Sequence, residues 1–459
     1  MEQDSKRMST TPNPNRRHFC GTAAATIGAA VPLAFLGFPQ KSEATALVAQ
    51  ETGADNTAIR PYRVTVSETE IVELRGRINA TRWPDKETVT DNSQGVPLAM
   101  LQGLATYWAT DYDWRKCEAK LNALPNFITE IDGLDIHFIH VQSKHENALP
   151  IIVTHGWPGS IIEQLKIIEP LTNPTAYGGA ASDAFHVVIP SIPGYGFSGR
   201  PTTTGWDADH IARAWVVLMT RLGYTRFVAQ GGDLGALISD VMAVQAPPQL
   251  LGIHVNLPGT VPAAIGKAIA CGDPPPAALS ADEKAAYLQI VDSRTKHYAY
   301  AVMQATRPQT LYGVADSPVG LAAWLLDHGD AYGQPAGAMV SAVLGHTVDG
   351  HSAGAITRDD FLDNTTLYWF TNTGISAARA YWENKGRSVI GTFNIKIPIA
   401  MTVFPGELYQ APRSWAAQAY PKLIYYHRAD KGGHFAAWEQ PELFSEEVRA
   451  GLRPLRTSN

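Results

Sequence analysis

The sequence predicts an α/β protein built on a mostly parallel, doubly wound sheet, with a helical insertion among its strands and a helical extension before them. Three observations predict it. Short apolar runs recur after residue 150 with helical patterns between them, as expected of strands buried on both faces. The strand signal then vanishes over residues 258–395 and returns at Pro398. Ahead of both stretches, residues 62–125 carry helical periodicity. The 459 residues are 45% hydrophobic and 17% charged, which excludes a disordered chain. With 37 Lys and Arg against 43 Asp and Glu, the net charge is −6, which argues against a binder of nucleic-acid phosphates. The three cysteines, Cys20, Cys117 and Cys271, supply neither a disulfide framework nor zinc-ligand spacing. A bridge between Cys117 and Cys271 stays open.

Residues 1–46 read as an address rather than as part of the fold. Arg16-Arg17 is followed two residues later by Phe19, then by a mild Ala/Gly-rich run from Gly21 to Phe38 and by Ala44-Thr45-Ala46. Paired arginines, a weak apolar run and a small-residue cleavage site together suggest twin-arginine export to the periplasm or beyond. The run is short and Gly-rich for a membrane anchor, and no later segment is apolar and long enough to span a bilayer.

An extension over residues 47–126 comes next. Ser67 before Glu68 and Glu70 caps a helix whose Ile71, Leu74 and Ile78 share one face, and Trp83-Pro84 ends it. Pro97–Trp108 and Trp114–Leu124 read as two more helices. The first part of the core, 127–257, opens with a hairpin: residues 127–131, an Asp132-Gly133 turn, and residues 134–141. Strands follow at 150–154, 185–189, 226–230 and 251–255, with a helix at 212–222. Residues 258–395 form a helical, aromatic lid. The second part of the core, 396–459, restores strands at 398–403 and 422–426.

Gly231-Gly232-Asp233-Leu234-Gly235 lies between a strand and a helix. Small residues two before and two after a central side chain permit the sharp turn of an α/β-hydrolase nucleophile elbow. The central residue here is Asp233, a carboxylate able to attack carbon and form an ester that water then hydrolyses. His155-Gly156-Trp157-Pro158-Gly159 follows the 150–154 strand and is placed to offer the Trp157 amide beside that of Leu234 as an oxyanion hole. His434 follows the last strand, where a loop can reach over the sheet as a base. Glu407, ending the strand before it, is the acid that orients His434, with Asp430 as its rival. Gly350-His351-Ser352-Ala353-Gly354 is a literal G-x-S-x-G motif, so a serine esterase competes. No convincing strand precedes it, and Ser352 reads as a loop residue. A haloalkane dehalogenase on the same fold and a non-catalytic carrier of apolar ligands compete as well.

These motifs, together with Arg82-Trp83-Pro84-Asp85, Tyr112-Asp113-Trp114-Arg115, Pro193-Gly194-Tyr195-Gly196-Phe197-Ser198 and Gly432-Gly433-His434-Phe435, resemble the microsomal-type epoxide hydrolases over roughly residues 58–455. The resemblance implies an α/β-hydrolase core that opens epoxides to vicinal diols without metal or organic cofactor. Its partners would be a small apolar epoxide and water, and homo-oligomerisation is left open. It also implies two lid tyrosines that bind and protonate the epoxide oxygen. They match Tyr300 and Tyr381, with Tyr298 and Tyr368 as nearby distractors. One departure stands out: the family usually carries Trp after the nucleophile, and this chain has Leu234.

Overall fold

The computed structural model describes residues 57–456, apart from 92, 328–336, 349, 351 and 389. The export-signal reading of residues 1–46 therefore lies outside the described residues. Nine strands form one sheet: β1 (Arg60–Pro61), β2 (Asn126–Ile131), β3 (Leu134–Val141), β4 (Leu149–Thr154), β5 (Phe185–Pro190), β6 (Phe227–Gly231), β7 (Leu250–Val255), β8 (Ile399–Val403) and β9 (Leu423–Arg428). Their order is β1-β2-β3-β5-β4-β6-β7-β8-β9. The first three strands pair antiparallel and β3 meets β5 antiparallel; every pairing from β5 onward is parallel. The mostly parallel sheet expected from the sequence is thus found, joined to an antiparallel edge.

Side-chain chemistry explains the elements. All residues of β6 and β8 are buried, because helices cover both faces of the sheet. The β2–β3 turn places Asp132 and Gly133 at φ 51° and 79°, the left-handed pair that a tight hairpin requires and that Asp-Gly tolerates. In the extension, Ser67 and Glu70 close a reciprocal capping box at the start of Glu68–Asn79, which buries Ile71, Leu74 and Ile78. The two-residue β1 carries no sequence signal, since it is shorter than one turn of any periodicity. No disulfide joins Cys117 to Cys271. Among the described residues no helix is long and apolar enough to cross a membrane.

Between β7 and β8 the described residues contain eight α-helices and no strand. Ala299–Thr306 and Gly374–Glu383 pack against each other and carry Tyr300 and Tyr381. Arg358–Thr371 lies between the extension and the loop after β4. Tyr107, Trp108 and Tyr112 of the extension donate hydrogen bonds to Asp359, Thr366 and Asp363 of that helix. On its other side Asn364 Nδ2 donates to the Pro158 carbonyl and Tyr368 donates to the Gly159 carbonyl. The extension therefore braces the lid, and the lid braces the loop that follows β4.

Candidate active site

The site begins with the turn from β6 into the helix Asp233–Gln245. Asp233 has φ 51°, a left-handed conformation that projects its side chain out of the turn. The glycines around it are needed because the backbones nearly touch. A Cβ on Gly231 would fall 2.1 Å from the Gly235 carbonyl oxygen, and one on Gly235 would fall 2.0 Å from that of Thr154. Gly156 is restricted for a different reason: a Cβ there would come within 2.5 Å of the Asp233 side chain.

Each oxygen of the Asp233 carboxylate meets a different partner. Oδ1 accepts the Trp157 backbone N–H at 3.0 Å, and the Leu234 amide also hydrogen-bonds the carboxylate. Oδ2 faces His434 Nε2 at 3.6 Å. Burial raises the Asp233 pKa; the His434 charge and the two amides pull it back. His434 Nδ1 lies 2.6 Å from Glu407 Oε1, and both side chains are almost fully buried. Burial disfavours the imidazolium, but the Glu407 carboxylate, its hydrogen bond and the nearby Asp233 outweigh it and lift the pKa to about 9. Asp430, the rival acid, is exposed. Glu439 Oε1 accepts the Phe435 N–H at 3.0 Å and so fixes the loop that carries His434.

Tyr300 and Tyr381 stand over this carboxylate. The Tyr300 ring stacks on Trp157 at 4.7 Å, the Tyr381 ring meets Trp157 edge-on at 5.9 Å, and the two side chains are hydrogen-bonded to each other. Burial raises both phenol pKa values well above their ordinary value, and the Asp233 charge adds to it, so both stay protonated. With Asp233, Leu234, Leu237, Ala301 and Leu408 they line a cavity of about 570 Å³. Tyr298 lines it too, whereas Tyr368 is committed to the Gly159 carbonyl. His155 is buried and held neutral, its pKa lowered to about 4 by burial, with Nε2 accepting the Ile192 N–H. Ser352 is exposed on a loop outside any strand-to-helix turn and accepts the Gly354 N–H. No group of three or more potential metal ligands occurs among the described residues.

Of the seven residues singled out in the sequence, Asp233, Leu234, Tyr300 and Tyr381 line this cavity, Trp157 and His434 meet the Asp233 carboxylate, and Glu407 reaches it through His434. The sequence reading missed Glu163, Gln164, Gln230 and Asn256, which line a small chamber behind Asp233 and His434. Ser160-Ile161-Ile162-Glu163 has the form of a capping box, so Glu163 reads as a helix cap. In the structure Ser160 caps the helix, while Glu163 turns inward against the backbone of Gly159.

Comparison with known proteins agrees with this geometry. Residues 59–164 match the family model for the epoxide hydrolase N terminus, and residues 150–285 match that for the alpha/beta hydrolase fold. A Stigmatella aurantiaca protein provisionally named an epoxide hydrolase is 49% identical, covering 87% of this chain and 86% of the relative. Epoxide hydrolase 1 of Oryctolagus cuniculus is 33% identical, covering 86% of this chain and 89% of its own. The crystal structure of juvenile hormone epoxide hydrolase from Bombyx mori superposes with a TM-score of 0.76 at 29% identity, covering 87% of this chain and 95% of that one. The Aspergillus niger epoxide hydrolase structure gives 0.72 at 27% identity, covering 87% and 97%. An elbow with aspartate at its centre, an extension ahead of the core and relatives matched over most of their length place this chain in the microsomal-type epoxide hydrolase family.

Proposed function

We propose that the protein hydrolyses an apolar epoxide to a vicinal diol through an ester on Asp233. The observation that carries this reading is the split environment of the Asp233 carboxylate beneath the Tyr300–Tyr381 pair: Oδ1 holds the Trp157 amide, the Leu234 amide also bonds the carboxylate, and Oδ2 faces His434. Oδ2 attacks one ring carbon as the ring carbon–oxygen bond breaks. The departing oxygen stays bound to the two phenols, one of which protonates it. Ester formation removes the Asp233 charge and with it one cause of the raised His434 pKa. The imidazolium proton can then pass to the tyrosinate left by that step, leaving neutral imidazole as a base. His434, oriented by Glu407, takes a proton from water as the water oxygen adds to the ester carbonyl. The Trp157 and Leu234 amides hold the oxyanion, and collapse releases the diol with a proton from His434.

The cavity, walled by Leu234, Leu237, Ala301 and Leu408, suits a small or medium apolar epoxide. The paired phenols favour an oxygen leaving group over a halide, and the exposed Ser352 favours Asp233 over a serine nucleophile. Single turnover in heavy-oxygen water tests the reading. Label is expected in Asp233 and absent from the first-turnover diol. Label appearing directly in that diol would rule out the ester. Export is a second part of the proposal and rests on Arg16-Arg17 and Ala44-Thr45-Ala46. Replacing both arginines with lysine should retain the protein in the cytoplasm; unchanged export would reject the twin-arginine route.

A further inference from the structure

Behind the Asp233–His434 pair lies a second, much smaller chamber of about 10 Å³. A single ordered water needs roughly 10–15 Å³ and two to four polar partners. Gly156, Glu163, Gln164, Gln230, Asn256 and Phe444 contribute to its wall along with the catalytic pair. Three of its wall residues carry buried, unsatisfied oxygens. Glu163 Oε2, Gln164 Oε1 and Gln230 Oε1 are all inaccessible to solvent and have no hydrogen-bond partner. Leaving such groups unpaired in an apolar core is costly, and all three belong to residues that line one water-sized space, which calls for a polar occupant. The remaining atoms of these side chains are already committed. Gln164 Nε2 donates to Glu163 Oε1 at 2.6 Å, and Gln230 Nε2 donates to Asn256 Oδ1 at 3.0 Å.

We infer that this chamber seats the water that hydrolyses the Asp233 ester, with Glu163 donating a hydrogen bond to that water from Oε2 and Gln230 accepting one. This rests on the ester chemistry proposed for Asp233 and adds a residue to its second half. Four partners then surround the water. One of its hydrogens points to His434 Nε2 and the other to Gln230 Oε1. One lone pair accepts from Glu163, and the other faces the Asp233 carbonyl carbon. In the reaction the water oxygen bonds to that carbon and His434 takes its proton. The ester bond to the substrate oxygen then breaks, and that oxygen leaves with the proton from His434. Glu163 gains and loses nothing; it fixes where the water stands. Burial keeps the Glu163 carboxyl in its acid form at neutral pH, with a pKa raised to about 8, which is what lets Oε2 donate.

The test separates ester formation from ester hydrolysis. Glu163→Leu removes the donor, whereas Glu163→Gln keeps an N–H donor in nearly the same place. With a chromogenic styrene-type epoxide, Glu163→Leu is expected to lower kcat roughly ten-fold, the scale of one positioning hydrogen bond. KM should fall in step, so kcat/KM stays unchanged, and intact-mass measurement should find alkylated enzyme accumulating. Glu163→Gln should stay close to wild type. If Glu163→Leu fails to fold, Gln230→Met, which removes the acceptor on the opposite wall, is expected to give the same signature. A fall in kcat/KM without ester accumulation, or a Gln variant as slow as the Leu variant, would overturn the water seat while leaving the ester reading intact. Absence of ester in wild type as well as variants would overturn both.

Discussion

At the scale of single residues, the proposed reaction divides labour between two oxygens of one carboxylate. Asp233 Oδ1 accepts the Trp157 amide and the Leu234 amide bonds the same carboxylate, so both donors of the proposed oxyanion hole are in place before substrate arrives. Tyr300 and Tyr381 share a second task and are coupled through their mutual hydrogen bond. Residues acting on one atom are not additive. Tyr300→Phe and Tyr381→Phe should each slow ester formation about 10- to 100-fold, and the double variant should lose more than about 10³-fold in total, within the range of general-acid catalysis. Rapid-quench measurement of the alkyl-enzyme checks this, with Tyr298→Phe close to wild type as the control. Two single variants indistinguishable from wild type would remove the tyrosines from the reaction. Asp233, His434 and Glu407 were legible in the sequence because each ends or follows a strand beside glycines that only a tight turn needs. Glu163 was not: its spacing from Ser160 is that of a cap, and only the close approach to Gly159 turns it inward.

At the scale of elements, the lid helix Arg358–Thr371 matters as much for its bracing as for covering the sheet. It takes three hydrogen bonds from the extension and gives two to the backbone of the Trp157 loop. Asn364 also accepts from Ser160 at 2.7 Å. Strands and the hairpin could be read from apolar runs and turns, since those report burial along one segment. The brace could not, because it joins Tyr107 and Tyr112 to residues some 250 positions away. Tyr368, which in sequence resembles another lid tyrosine, belongs to the brace. Removing its hydroxyl leaves the buried Gly159 carbonyl without that donor, so Tyr368→Phe should cost about 1–3 kcal/mol of stability. Urea unfolding measures that cost. Ester formation should slow only modestly, because the Trp157 amide loosens while both acids remain. A Tyr368→Phe variant of wild-type stability with abolished ester formation would mean that Tyr368 acts on substrate and that the brace is not its role.

At the scale of the whole molecule, burying so many ionisable groups around one histidine ties stability to pH. Three buried histidines, His137, His155 and His254, have pKa values lowered from 6.5 to about 3, 4 and 3 by burial, so they resist protonation in the folded state and destabilise it below pH 6.5. Over the acid range Glu163 and Glu439 act in the opposite direction. Burial raises each from 4.5 to about 8, and the folded state holds protons that the unfolded chain has lost. Above pH 6.5 the balance changes, because the three histidines are neutral in both states and drop out. His434, raised to about 9, joins the two glutamates in keeping a proton that unfolding releases. All three contributions then share one sign: stability is greatest on the low side of this window and declines as pH rises towards 8 and 9. Each proton released is worth about 1.4 kcal/mol per pH unit, so the cluster sets a slope of roughly 1 to 4 kcal/mol per unit. The melting temperature should therefore fall steadily from pH 6.5 to 8.5. Glu439→Gln keeps an acceptor for the Phe435 N–H but cannot ionise, so its melting temperature should fall less steeply over the same range. A wild-type melting temperature that is flat or rising across that window, or an unchanged slope in Glu439→Gln, would show that the cluster does not hold these protons when folded.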